Sequence, residues 1–306
     1  MKKLTLTLIV IMFCIRAIAQ QDPMLSQYMF NGLFLNPAYA GSHRYFSSSM
    51  LYRTQWVGFD GAPRTSLFAI DGPIKNEKMG VGLIVAHDQI GVTRQTDVMG
   101  NYAYNIQLGK GKLAFGIKGG FGTYNAKVTD LTYWDKGDQI YANDIQSKFI
   151  PKFGFGTYYH TENWYAGFSI PTLLAYESGK DFKLDVEKSS FVRRHYLLTA
   201  GYVYSINELW KFKPSVLIKS VNNAPTEIDL NASIFYKDMI WFGCSYRSKD
   251  AVVLIAEYQA NMQFRIGYAY DITLSRLNSY SNGTHEIMIG YDFGKDIIKV
   301  KTPRYF

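Results

Sequence analysis

The sequence predicts an all-β protein: a transmembrane antiparallel β-barrel of about fourteen strands with a short N-terminal helical plug segment. Three observations carry that expectation. From Phe46 onward, apolar residues recur at every second position in segments of roughly ten, the period of a strand with two unlike faces. The opposite face is rich in Gly, Ala, Ser and Asn, with isolated charges such as Arg53, Lys118, Glu257, Arg265 and Asp292. That composition suits the crowded, hydrated inside of a barrel, whereas the outer face of a soluble sandwich carries more charge. Finally, the connections sort by parity. Gly109-Lys110-Gly111, His160-Thr161-Glu162-Asn163, Lys237-Asp238 and Ala260-Asn261 are short, while 124–149, 172–190 and 273–282 are long. Transmembrane barrels have this asymmetry between periplasmic turns and outside loops, and a sandwich has no reason for it. Arg247-Ser248-Lys249-Asp250 is a short connection on the long side.

The elements follow in order. Residues 1–19 read as a signal peptide: Lys2 and Lys3, an apolar run from Leu4 to Ile15, then Ala17-Ile18-Ala19 before cleavage near Ala19/Gln20. The run is too short for a helical membrane span. Residues 20–45 form a plug or periplasmic segment. Asp22 is a good N-cap and Pro23 a good first helical residue; Leu25, Tyr28, Met29 and Leu33 fall at helical spacing until Asn36-Pro37 ends the element. This amphipathic helix either fills the lumen or docks a periplasmic partner, and physical grounds favour the plug. The barrel occupies 46–294, with strands near 46–56, 64–71, 79–87, 93–107, 111–123, 150–160, 163–171, 191–205, 210–220, 226–236, 239–247, 250–260, 262–272 and 283–293. Trp56, Tyr133, Trp134, Trp164, Trp210 and Trp241 sit where interfacial aromatic girdles belong. Residues 295–306, which contain Pro303 and do not alternate, are a basic periplasmic tail.

The positive charge is scattered, so no face gathers it for nucleic acid. Once the leader is removed, Cys244 is left as a single thiol, with no disulfide framework. The five histidines have no metal-ligand spacing, and no serine sits in a nucleophile elbow, so neither a metal, a cofactor nor an enzyme is expected. His87-Asp88, in an expected outside loop, is the one acid–base pair weighed for a surface hydrolase; a solvated loop pair is the better reading. The glycines of KGGFGTY and GFGTYY lie within strands, so they admit close packing and do not cradle phosphate.

Specific motifs then add to the pattern. SQYMFNGLFLNPAYAGS, YRTQWVGFDGAPRTS at 52–66, HDQIGVT at 87–93 and the closing HEIMIGYDFG resemble the PorP/SprF family of outer-membrane proteins of the type IX secretion and gliding apparatus of Bacteroidetes. The resemblance places Tyr28, Asn31, Asn36, Pro37, Tyr39, Arg53, Gln55, Trp56, Asp60 and Gly61 among the family-defining positions. Some of these have structural readings too: Pro37, together with Gly41 nearby, fixes a turn, and Arg53 is expected to meet a carboxylate in the lumen. The resemblance implies a non-enzymatic outer-membrane barrel that helps a secreted adhesin or other cargo with a C-terminal secretion domain reach, or stay on, the cell surface. Its expected partners are that cargo, other type IX components and outer-membrane lipid. The alternative is an outer-membrane channel for a small or hydrophobic solute.

Overall fold

The computed structural model describes residues 24–74, 77–130, 144–175, 194–221 and 224–294. The proposed signal peptide, the Asp22-Pro23 helix start, Tyr133, Trp134 and the C-terminal tail lie outside the described residues. Fourteen antiparallel strands close into a barrel. They are β1 (Phe46–Thr54), β2 (Arg64–Ile74), β3 (Met79–Ile90), β4 (Thr93–Leu108), β5 (Gly111–Ala126), β6 (Ile145–His160) and β7 (Trp164–Ala175). Then come β8 (His195–Tyr202, resumed after Val203 by Tyr204–Ser205), β9 (Trp210–Val221), β10 (Glu227–Tyr236), β11 (Ile240–Arg247), β12 (Ala251–Gln259), β13 (Phe264–Thr273) and β14 (Thr284–Phe293). Both pieces of β8 pair with β9, so they act as one strand. Each strand pairs with its neighbour in sequence, and β1 pairs with β14 to close the ring, which leaves no open edge.

The alternation decides which side of each strand meets what. On β14, Thr284, Glu286, Met288 and Asp292 are buried, while Ile287, Ile289, Tyr291 and Phe293 are exposed. On β5, Ala114 and Lys118 point inward, and Phe115, Ile117 and Phe121 outward. An outer surface of exposed aliphatic and aromatic side chains, repeated around a closed ring, requires a lipid surround, because water would not tolerate so large an apolar band. No helix among the described residues is long and apolar enough to cross a membrane; the strands do the crossing.

The strand ends that flank 55–63, 127–144, 176–194 and 274–283 lie at one end of the barrel, the loop end. The opposite, turn end carries 109–110, 161–163, 206–209, 237–239 and 260–263. Gly91-Val92 and Ser248–Asp250 are short turns that also lie at the loop end, and the strand ends at Val221 and Glu227 are there too.

Two expectations are corrected. His87 and Asp88 lie within β3, not in a loop, and consecutive strand residues face opposite ways. Accordingly, exposed His87 bonds Thr96 Oγ1 at 2.8 Å, whereas Asp88 accepts from Thr65 Oγ1 at 2.5 Å, so the two do not form an acid–base pair. Trp241 is no girdle residue. Trp164 and Trp210 are exposed, but Trp241 is buried in the lumen, its ring 4.2 Å from Phe30 and 4.0 Å from Phe235. Its strand parity, odd with Ser245 and Arg247, points it inward.

Candidate functional site

The chain's own N-terminal segment lies in the lumen. This is not the single helix expected but three short turns: a 3-10 turn at Tyr28–Phe30, one α turn at Gly32–Leu35 and a 3-10 turn at Pro37–Tyr39. The breaks fall at Asn31 and Asn36, residues that favour turns over helix interiors. Asn36 caps the last turn by accepting from Ala38 N–H at 2.9 Å, with Pro37 as its first residue.

At the loop end the segment is held by charge. Arg53 on β1 reaches Asp271 of β13 at 2.9 Å and Glu286 of β14 at 3.1 Å, with all three buried. Its guanidinium also donates to Ser26 Oγ. Ser26 N–H and Gln27 N–H donate to the two oxygens of Glu286 at 2.8 and 2.7 Å, and Ser26 Oγ donates to Asp271 at 2.7 Å. A second guanidinium, Arg247, reaches Asp229 at 3.3 Å and Asp271 at 3.5 Å and donates to Leu25 C=O at 3.4 Å. Three buried carboxylates and two guanidiniums therefore form one network whose remaining hydrogen-bonding capacity is met partly by the plug backbone, the condition under which buried charge is tolerated.

Further along, contacts are neutral. Asn31 accepts from Ser49 Oγ and lies 3.4 Å from the Met288 sulfur. Asn36 Nδ2 donates to Thr157 C=O at 2.9 Å, and Ser169 Oγ to Leu35 C=O at 2.6 Å. Tyr28 points its phenol at Asp229, 3.5 Å away. Burial first and Asp229 second push that phenol well above its ordinary range, so it stays protonated and donates. Tyr39, likewise raised by burial, bonds His43 at 3.1 Å and packs edge-on against Tyr158 at 5.6 Å. Gly41 N–H donates to Asp71 at 2.9 Å near the turn end.

Glycines on the inner wall make room for this. A Cβ at Gly116 would strike Ala38 N, and one at Gly80 would strike Ala40 C=O, so plug backbone lies directly on strand backbone at both places.

The ten candidate positions thus separate into two groups. Tyr28, Asn31, Asn36, Pro37, Tyr39 and Arg53 converge in the lumen. Gln55, Trp56, Asp60 and Gly61 instead build the loop-end connection after β1. Trp56 adopts φ +45°, an uncommon conformation for a bulky residue. Its N–H donates to Thr284 Oγ1 at 3.1 Å, and its C=O accepts from Phe59 N–H at 3.1 Å. Gly61 C=O accepts from Gly91 N–H at 2.8 Å, and Gln55 N–H donates to Pro63 C=O at 2.9 Å. Val57 and the 274–283 connection exchange two backbone bonds, Val57 N–H to Gly283 C=O and Asn282 N–H to Val57 C=O, at 2.8 and 2.7 Å. The two loops form one platform over the ionic network, with Phe59, Asp60 and Tyr280 exposed on it; Tyr280 is 71% exposed.

A family model described as "Type IX secretion system membrane protein PorP/SprF" matches residues 17–291, nearly the whole barrel and plug. The chain belongs to the PorP/SprF family. As a family member it is a membrane protein of the type IX secretion system, and fold and family together place it in the outer membrane. No curated protein sequence matches. Among solved structures, the outer membrane protein Omp33 of Acinetobacter baumannii is 10% identical, with 83% of this chain and 100% of that one covered and a TM-score of 0.48. A FadL homologue from Pseudomonas aeruginosa (10% identity, 85% and 93% covered, TM-score 0.48) and the CymD monoaromatic hydrocarbon channel (10%, 86% and 93%, 0.48) stand at the same distance. At that distance nothing about function carries over from them.

Ser26, Gln27, Asp229, Arg247, Asp271 and Glu286 escaped the sequence-based site. Asp271 and Glu286 were legible as charges on an otherwise small-residue face, but nothing local to them names Arg53 or Ser26 as the partner.

Proposed function

We propose that this PorP/SprF barrel is a binding partner, not an enzyme, for a secreted protein that it helps to export and retain at the cell surface. The carrying observation is the division of the family-motif residues. One group holds the chain's own N-terminal segment in the lumen, and the other builds a two-loop platform that leaves Phe59, Asp60 and Tyr280 exposed at the loop end. Apolar and aromatic side chains on a backbone pinned by hydrogen bonds are suited to docking a protein, since little order remains to be imposed on binding. The cargo or adhesin carries a C-terminal secretion domain, and other type IX components complete the assembly. A channel for a small solute is the competing reading, and a lumen packed with plug backbone counts against a standing pore.

The test is a gentle-detergent pull-down of the tagged barrel from its native envelope, with mass spectrometry of what co-purifies. One large secreted protein is expected, and it should be lost when Phe59 and Tyr280 are both replaced by Ser. Recovery of the barrel alone, with single-channel conductance in planar bilayers, would leave the pore reading standing in its place.

A further inference from the structure

The outer face of β2 to β5 changes character in ordered rows towards the loop end. The ladders set Phe68, Val85, Val98 and Phe121 side by side across these strands. One step of the pleat nearer the loops, the same face carries Ser66, His87, Thr96 and Thr123, and one step beyond that Arg64, Gln89, Arg94 and Asn125. Their neighbours of opposite parity, such as Thr65, Leu67, Ala86 and Met99, are buried, so the three rows face away from the lumen. Both arginines are exposed, and neither forms an ion pair among the described residues. The acids of these strands, Asp71, Asp88 and Asp97, all take the inward parity. Farther out on the chain, Lys127 shares its surroundings with Asp144, which leaves the arginine pair as the uncompensated charge of this face.

The depth of that pair follows from β4. Its outward side chains are apolar or aromatic from Val98 through Tyr102, Tyr104 and Ile106 to Leu108 at the turn end. That stretch is about 34 Å along the strand at about 3.4 Å per residue, and about 26 Å along the barrel axis at a tilt of about 40°. The apolar band of an outer-membrane barrel is about 25 Å tall, so Arg64 and Arg94 stand just past the hydrocarbon, level with the headgroups of the outer leaflet. The arc from β10 to β13 differs: Ile228, Leu230, Tyr246 and Ile272, outward near the loop end there, carry no charge. The positive rim is therefore local to one arc and not a feature of the whole perimeter. We propose that the outer face of β2 to β4 binds a phosphate-bearing lipid of the outer leaflet, its phosphate between Arg64 and Arg94 and its acyl chains along Phe68, Val85 and Val98. Two strand spacings, about 10 Å, separate the arginine backbones, and guanidinium forks match phosphate oxygens in bidentate fashion. Ser66, Gln89 and Asn125 surround the pair with uncharged hydrogen-bonding groups. The proposal does not depend on cargo docking.

The test is native mass spectrometry of the full-length protein released from detergent micelles, titrated with synthetic lipid A carrying two phosphates and, separately, with the same lipid lacking them. Saturable binding of the phosphorylated lipid is expected, with the phosphate-free lipid at least about tenfold weaker, the loss of one charge-assisted hydrogen bond. Arg64→Gln with Arg94→Gln should weaken the phosphorylated lipid to the level of the phosphate-free one. Lys110→Gln with Lys237→Gln removes the same charge from exposed positions at the turn end and should leave binding unchanged. All four positions are exposed, and heat-modifiable migration on gels verifies that each variant is folded. No saturable binding by the wild type, equal binding of the two lipids, full binding by the folded arginine variant, or an equal loss in the lysine variant would each overturn the proposal. The pull-down of the preceding section is read separately, so failure of one leaves the other intact.

Discussion

Arg53 shows what a single charge does in this lumen. It is about 1% exposed and sits between two carboxylates that are as dry as it is. Removing it leaves Asp271 and Glu286 buried beside each other, with Arg247 reaching only one of them. Arg53→Met is therefore expected to cost about 3–5 kcal/mol, the usual penalty for breaking a buried ionic network by one member, as read from urea unfolding of the barrel in lipid vesicles. Lys213 supplies the contrast. It is equally buried, its ammonium makes no hydrogen bond among the described residues, Glu257 is the carboxylate that acts on it through space, and it lies over the rings of Trp241 and Tyr165 at 5.0 and 5.4 Å. Such an ion is held at a desolvation cost that ring contacts offset only in part. Lys213→Met should thus leave stability unchanged or raise it in the same assay. A loss comparable to that of Arg53→Met would show that the lysine has a partner the geometry does not reveal.

Among the elements, the plug is the one whose placement is most exacting. Gly116→Val puts a side chain where Ala38 N now lies, and strand backbone has no freedom to yield. The variant barrel should still form, since β5 keeps both ladders, but the plug should be displaced. Proteolysis within 24–41 of an otherwise resistant barrel, together with new conductance in planar bilayers, is the expected result; a silent, protected variant would mean that the contact is soft. The plug also marks how far the sequence could be read. Helical spacing of Leu25, Tyr28, Met29 and Leu33 was visible and leads to a buried face, because the period is a local property. The division into three turns was not, because it depends on Asn31 and Asn36 bonding to Ser49 and Thr157, residues that only the closed barrel brings near. The strands were legible for the same reason of locality: each carries its own two-residue period. Trp241 was misplaced because a tryptophan near a strand end looks alike on either face until its parity is counted against Ser245 and Arg247. His87-Asp88 was misplaced because β3 runs on to Ile90 through residues whose alternation is weak.

For the whole molecule, the outer surface sets the stability in lipid. Ile117 projects from the middle of β5 and is 61% exposed, so in the membrane its neighbours are acyl chains. Ile117→Arg should destabilise the barrel by about 2–4 kcal/mol, while Tyr204→Arg, beside the turn end, should cost only about 0–1 kcal/mol. Equal costs at the two depths, measured by urea unfolding in vesicles, would contradict the assigned membrane band. One feature of the closed ring also has a temporal side. Arg53 and Glu286 stand directly opposite each other across the junction of β1 and β14, 233 positions apart in the chain, and Ser26 is bound by both. The plug segment, which precedes every strand, consequently has no complete binding site until β14 has arrived. Its docking is then a late step of assembly, a catch that can engage only on a finished cylinder, and a chain stalled short of β14 would keep its leading segment loose and open to periplasmic proteases.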